Sequence, residues 1–327
     1  MKPILFTIGF LPIYSQFLIL GLSYSIALII GYFESKREKV DFARLGIFAA
    51  LQMLLGGVIG GKLVWMFMNR QEISFIYSKK GFVSAIKFTL FGGTAYIGVI
   101  IFAIFSVYIF TKIKKESFWK YMDIISISFF YASSFGRWGC FLAGCCFGKQ
   151  MDSVFGVLFE THKKLINYPV HPTQIYESWA VFLIFSITRN IRVRKILTLQ
   201  EIIAFLSLYS LSRLVWLYWA SKIGFSVADI FVLPAFFSFF LFLKFIMLKL
   251  TTPLSKSDYE GQLFLFSFVL YCVARFFLEY LRHPAGITGW IIVEKLSTTH
   301  ILIAVILPLC ILTMIFRRIR VRGSPPP

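Results

Sequence analysis

Residues 299–316 read THILIAVILPLCILTMIF, and the next six are Arg317, Arg318, Ile319, Arg320, Val321 and Arg322. An apolar helix of that length rises 1.5 Å per residue and covers about 27 Å, close to the roughly 30 Å hydrocarbon thickness of a bilayer. Arginines gathered directly after such a run belong at a cytoplasmic membrane surface. The stretch therefore predicts a membrane-spanning helix with its carboxyl end inside.

Runs of the same kind recur upstream, near 9–33, 43–68, 88–110, 118–142, 174–188, 198–220, 226–248 and 261–281. The composition agrees, since 58% of the 327 residues are hydrophobic and 19% aromatic, more apolar surface than one soluble core needs. The expected fold is all-α, a polytopic transmembrane helical bundle of about nine spans. The first run carries no cleavage-site pattern and is longer than the apolar part of a secretory signal, so it is expected to remain as a span.

The formal charge of +19 raises the prospect of nucleic acid, but its placement excludes that partner class. Basic residues fall in every second connection: Lys36, Arg37, Lys39 and Arg44, then Lys112, Lys114, Lys115 and Lys120, then Arg189, Arg192, Arg194 and Lys195, then Lys249 and Lys256. By the positive-inside rule these loops face the cytoplasm, which puts the amino terminus outside and the carboxyl terminus inside. The organisation expected is one integral membrane domain over 1–327. It has an outward arm at 69–87, an outward loop at 143–173 and an added pair of spans at 196–256. In the arm, Arg70, Lys79, Lys80 and Lys87 alternate with Phe75, Ile76, Tyr77 and Phe82, which reads either as an interfacial segment or as an ordinary basic loop interrupted by Gly81.

Ionisable groups at bilayer depth are costly and tend to mark cavities or partners. Arg137 lies in Gly136-Arg137-Trp138-Gly139-Cys140-Phe141-Leu142-Ala143-Gly144-Cys145-Cys146-Phe147-Gly148. A fixed guanidinium there grips a phosphate through paired hydrogen bonds, and the glycines permit close backbone approach. In Tyr168-Pro169-Val170-His171-Pro172-Thr173-Gln174-Ile175-Tyr176-Glu177 the prolines set an extended entry, Thr173 is a candidate helix cap, and Glu177 falls just inside the helix. Arg275, Glu279 and Arg282 stand at i, i+4 and i+7 on one helical face, with more positive than negative charge. A structural ion pair is the plain reading of that trio; an anion site is the sharper one. A fourth place, Phe91 to Gly98, is glycine-rich.

Five cysteines do not make a disulfide framework. Cys272 and Cys310 sit in apolar runs as small hydrophobes, whereas Cys140, Cys145 and Cys146 cluster. Their spacing lacks the paired ligands of a zinc site and offers no clear fourth donor, so no metal is expected. Redox or acyl-carrying thiols beside Arg137 stay open as a second reading. His162, His283 and His300 read as loop or interfacial residues.

These motifs resemble those of the bacterial prolipoprotein diacylglyceryl transferase family. That family carries Gly-Arg-x-Gly-Asn-Phe-x-Asn-x-Glu-x-x-Gly, His-Pro-Ser-Gln-Leu-Tyr-Glu and a later Arg-x-x-x-Glu-x-x-Arg, and all three recur here in order. Leu55 to Leu63 is similar to its glycine-rich second helix. Cys140, Ala143 and Cys145 stand where the family has Asn, Asn and Glu, and Ile97 stands where it has a histidine before Gly98. The segment between the second and third motifs is longer than usual, and Tyr209-x-x-x-Arg213 repeats the pattern of Tyr271-x-x-x-Arg275.

The resemblance implies transfer of a diacylglyceryl group from phosphatidylglycerol to the lipobox cysteine in preprolipoprotein signal peptides. The site would face the periplasmic side of the bacterial inner membrane, among membrane lipids, with no cofactor. It implies Arg137, Arg275, Glu279, Tyr96 and His171 as catalytic candidates. Gly136, Gly139, Gln174, Tyr176, Glu177, Arg282 and Gly98 are the implied substrate-binding candidates. A divergent relative that binds or modifies an anionic lipid without lipoprotein transfer is the alternative.

Overall fold

The computed structural model of the protein describes residues 4–8, 11–40, 59–91, 96–151, 156–159, 168–193, 198–219, 228–251, 259–282, 291–293 and 296–323. Residues 55–58 of the glycine-rich stretch at 55–63, residues 92–95, His162, His283 and the prolines at 325–327 lie outside the described residues.

Helix dominates, as the apolar runs predict. Ten helices are described: α1 (Ser15–Glu38), α2 (Gly61–Met68), α3 (Arg70–Phe91), α4 (Tyr96–Lys114), α5 (Phe118–Leu142), α6 (Thr173–Val193), α7 (Leu199–Trp219), α8 (Ala228–Thr251), α9 (Gln262–Tyr280) and α10 (Thr298–Gly323). Two small antiparallel pairs accompany them, β1 (Ile4–Ile8) with β2 (Leu11–Tyr14) and β3 (Ile291–Val293) with β4 (Leu296–Ser297). The all-α expectation therefore holds for the bulk of the chain and misses these hairpins.

Helix bounds correct the sequence reading in two places. The first helix starts at Ser15, because residues 11–14, counted in the first apolar run, belong to β2. The basic arm is helical: α3 runs from Arg70 to Phe91 and is broken only at Gly81, whose φ of 77° and ψ of 175° lie outside helix space. Three stretches are long and apolar enough to cross a membrane among the described residues: Leu18–Glu38, Gln262–Tyr280 and Thr299–Val321.

Burial is the reverse of a soluble protein's. Phe67, Ile113, Leu199, Phe245, Phe277 and Phe316 lie exposed, whereas Asp123, Glu177, Glu201, Lys244, Glu279 and Arg282 are buried. Apolar faces of that extent suit hydrocarbon, and buried charges need partners.

The chain divides into two compact units, residues 32–122 and residues 1–31 with 123–327. In the first of these, α4 crosses the start of α2 at Gly98. A Cβ built on Gly98 would sit 2.3 Å from the Gly60 carbonyl oxygen, and one on Gly60 would sit 2.5 Å from the Phe102 ring. Only glycine permits that crossing. Gly98→Leu is expected to destabilise this unit by about 1–3 kcal/mol or more, read as a lower unfolding midpoint in detergent.

In the other unit, α6 packs against both α8 and α9. Trp179 meets Phe205 and Phe236, while Phe182 and Phe240 stack at 5.3 Å, seating α7 and α8 on one side of α6. There Glu201 of α7 pairs with Lys244 of α8 at 2.6 Å and accepts from Ser186 of α6. Thr198 closes the same knot, its amide and hydroxyl donating to Glu201 at 2.7 and 2.8 Å.

On the other side, Asp123 of α5 accepts the Gly261 and Phe264 amides at 2.7 and 2.8 Å. A carboxylate from one helix thus caps the amino terminus of another, where orphan N–H groups and the helix dipole favour an anion. Arg137 stands fourteen residues beyond Asp123 on α5, and Arg275 fourteen beyond Gly261 on α9. At 1.5 Å per residue both arginines lie about 21 Å from the shared cap, on parallel helices.

Candidate active site

Equal offsets bring the two arginines to one level, and there they meet a single carboxylate. Arg275 Nη1 lies 2.8 Å from Glu177 Oε2, and Arg137 Nη2 bonds Glu177 Oε1. Tyr271, one turn before Arg275 on the same face, donates its hydroxyl to Glu177 Oε1 at 3.2 Å. Glu177 stands just past the first turn of α6, which runs opposite to α5 and α9, so three helices converge on it.

The local sequence fixes that turn. Val170 pairs with Val157 in extended backbone, and Pro172 ends the extension. The amides of Ile175 and Tyr176 then donate to the Pro172 carbonyl at 2.9 and 3.3 Å. Thr173 is not the side-chain cap expected from its position. Its hydroxyl donates instead to the Cys146 carbonyl at 2.6 Å, and the Gln174 amide donates to the Cys145 carbonyl at 2.5 Å. The start of α6 is thereby stitched to the turn after α5. Gln174 Oε1 is buried and accepts no hydrogen bond among the described residues.

The charge network extends along α9. Arg275 Nη2 pairs with Glu279 Oε2 at 2.9 Å, while Arg282 Nη1 stands 3.8 Å from the same oxygen. Arg282 lies past the helix end, in a bridge with Gly148, and the Lys149 amide donates to Leu281 O at 2.7 Å. Gly148 is walled in: a Cβ there would meet His171 Cβ at 2.5 Å and Leu281 O at 2.6 Å. The backbones after α5, before α6 and after α9 thus share one junction.

Among the described residues, three guanidiniums face two carboxylates in this network, an excess of one positive charge in its ion pairs. Of the three, Arg137 keeps the largest exposed fraction, 20% of its side chain against 11% for Arg275 and 5% for Arg282.

His171 places Nδ1 3.4 Å from the Tyr176 hydroxyl, and partial burial holds its pKa below the ordinary imidazole value. That shift favours the neutral form of the ring. Gly136 and Gly139 turn toward α1, since a Cβ on Gly139 would lie 3.2 Å from the Gln16 carbonyl. Helix packing accounts for both. Tyr96 and Gly98 begin α4 in the other unit.

Cys140, Cys145 and Cys146 are all free and half-buried. Hydrogen bonds from the Cys140 and Cys145 thiols, then the nearby charges of Arg282 and Arg137, hold Cys146 well below the usual thiol value despite burial.

The reading of His300 as a loop or interfacial residue is corrected, since it lies buried in the first turn of α10, next to a Ser297 that the sequence does not single out. Ser297 donates to Glu279 Oε1 at 3.1 Å, and its amide donates to His300 Nδ1 at 3.2 Å. The signal is a Ser-x-x-His stretch opening α10, in which the imidazole accepts the Ser297 amide as the glutamate of a capping box would.

The family model described as "Prolipoprotein diacylglyceryl transferase" matches residues 3–241. A Clostridium tetani protein named phosphatidylglycerol–prolipoprotein diacylglyceryl transferase is 35% identical over 187 residues, covering 56% of this chain and 71% of the relative. A Clostridium botulinum protein of the same name is 26% identical over 222 residues, covering 65% and 83%. One from Clostridioides difficile is 31% identical over 161 residues, covering 48% and 58%. The family match takes in Arg137 and Glu177 and ends within α8, before Arg275.

Proposed function

The chain belongs to the prolipoprotein diacylglyceryl transferase family, and from that premise we propose that it moves a diacylglyceryl group from phosphatidylglycerol to the lipobox cysteine of preprolipoproteins. The observation that carries the assignment to this site is Glu177 holding Arg137 and Arg275 together with positive charge to spare.

In the reaction the substrate thiolate attacks a glyceryl carbon, the carbon–oxygen bond to phosphate breaks, and glycerol phosphate leaves with the electron pair. Negative charge grows on the departing phosphate, so cations fixed in advance lower the barrier without reorganising. Arg137 contacts the phosphate, and Arg275 supports it from behind Glu177. Glu279 and Tyr271 hold Arg275 and Glu177 in place as positioning residues. Gln174 Oε1, buried without a protein donor among the described residues, accepts a headgroup hydroxyl.

A thiol of ordinary pKa near 8.5 is mostly protonated at neutral pH. His171 takes that proton, with Tyr176 steering its ring. Loss of a general base removes a factor of about 10²–10⁴, so His171→Gln is expected to slow transfer at least about 100-fold. Because burial lowers the imidazole pKa, the wild-type acid limb is expected below about pH 6.5, and transfer should be level from there to neutrality. A profile measured on reconstituted protein with a lipobox peptide checks both.

For the membrane arrangement we read nine spans, an outward amino terminus and a cytoplasmic carboxyl terminus in the inner membrane, with the Glu177 site toward the periplasm. The basic residues ending α1, α4, α6 and α8 and the arginines closing α10 support this. The arm at 69–87 rests on the outer interface. The test of function is lipidation of a lipobox reporter in cells depleted of their own transferase. Wild type is expected to restore it, and Arg137→Ala and Arg275→Ala are expected to fail at equal expression. No lipidation from well-expressed wild type overturns the reading.

A further inference from the structure

The sulfurs of Cys140, Cys145 and Cys146 all lie within 4.8 Å of one another. Backbone geometry produces this convergence. Gly144 is left-handed at φ 68°, its amide donates to Phe141 O at 3.1 Å, and the Cys145 amide donates back to Cys140 O at 3.1 Å. That is a Schellman ending, which folds Cys145 over the last turn of α5. Cys146 follows at φ 63°, a left-handed conformation that a non-glycine residue adopts only at a cost. Such strain persists where the surroundings over-determine it and often marks functional positions. Here Thr173 and Gln174 fix the carbonyls of Cys146 and Cys145.

We propose that Cys140, Cys145 and Cys146 bind one thiophilic metal ion of low coordination number, with Cu(I) the best fit. Three sulfurs about 2.3 Å from a central ion in a trigonal plane stand about 4 Å apart. The observed spread contracts to that by small side-chain rotations. Zinc prefers a fourth ligand, and no other His, Cys, Asp or Glu joins the group among the described residues. Soft thiolates alone satisfy Cu(I). Each thiol that ligates the ion releases its proton to solvent.

The test uses the full chain, reduced and purified in detergent without oxygen, titrated with Cu(I) against a competing Cu(I) chelator. One ion per chain is expected, with thiolate-to-copper charge-transfer absorption. Outer-shell changes at metal sites cost about 10- to 100-fold, so removing the ligands in C140S/C145S/C146S is expected to weaken binding more than about 100-fold. C272S/C310S is expected to bind as wild type does. X-ray absorption of the loaded wild type, which needs no variant, is expected to show three sulfurs at about 2.3 Å and no nitrogen or oxygen neighbour. Copper retained by the triple variant, or lost to the chelator by wild type, overturns the site. Zinc held as firmly as Cu(I) overturns the three-coordinate assignment. None of these readouts depends on lipid transfer, so failure here leaves the proposed reaction standing.

Discussion

Glu177→Gln is expected to lower diacylglyceryl transfer by about 10²–10³-fold, the cost seen when one preorganised electrostatic group is removed from a site. The substitution keeps shape and removes charge. Arg137 and Arg275 approach opposite oxygens of one buried carboxylate, so the amide in its place offers one oxygen to one guanidinium and turns an NH2 toward the other. Two cations then repel across a site of low dielectric, and Arg137 leaves the position from which it meets the phosphate. Most of the loss is expected in kcat, with a smaller change in KM, because the displaced charge acts on the leaving group more than on the resting headgroup. A loss confined to KM would assign Glu177 to headgroup binding instead.

The second large effect is on stability. Glu201→Gln is expected to destabilise the helix group α6–α8 by about 3–5 kcal/mol, because it strips the carboxylate from a buried lysine. Both side chains of the pair are within 1% of complete burial, and Ser186 and Thr198 already direct their hydrogen bonds to the same carboxylate. Replacing both charges, as Glu201→Gln with Lys244→Met, is expected to recover most of the loss, since the penalty comes from an unmatched charge more than from the missing pair. Unfolding midpoints of the single and double variants in detergent decide it: equal destabilisation in both would show that the ion pair itself, and not the stranded charge, matters.

Much of this was legible in the sequence. Apolar runs of bilayer length give the helical class, and charges misplaced within them single out Arg137, Glu177, Arg275 and Glu279. The i, i+4 spacing of Arg275 and Glu279 predicted their contact, which the structure places at 2.9 Å. Convergence across helices was not legible. Glu177 is separated from Arg275 by 98 positions, and no local periodicity reports such a pair. The β1–β2 hairpin was hidden because Ile, Leu and Phe serve strand and membrane helix alike over short lengths. Thr173 had the right position for a cap, yet the tertiary partner Cys146 O won its hydroxyl. His300 was set aside as interfacial because a lone imidazole carries no pattern, and only its link through Ser297 to Glu279 gives it a place.

The Asp123 cap and the Glu177 carboxylate hold α5 and α9 at two fixed heights. These helices behave as a pair of matched rulers. One residue inserted between Asp123 and Arg137 would carry the guanidinium about 1.5 Å along the axis and about 100° around it. It would then point away from Glu177 while the cap stayed where it was. Between those anchors the sequence is free to change in kind but not in number: a lengthening is tolerable only when both helices gain the same whole number of turns, so that height and facing are kept together.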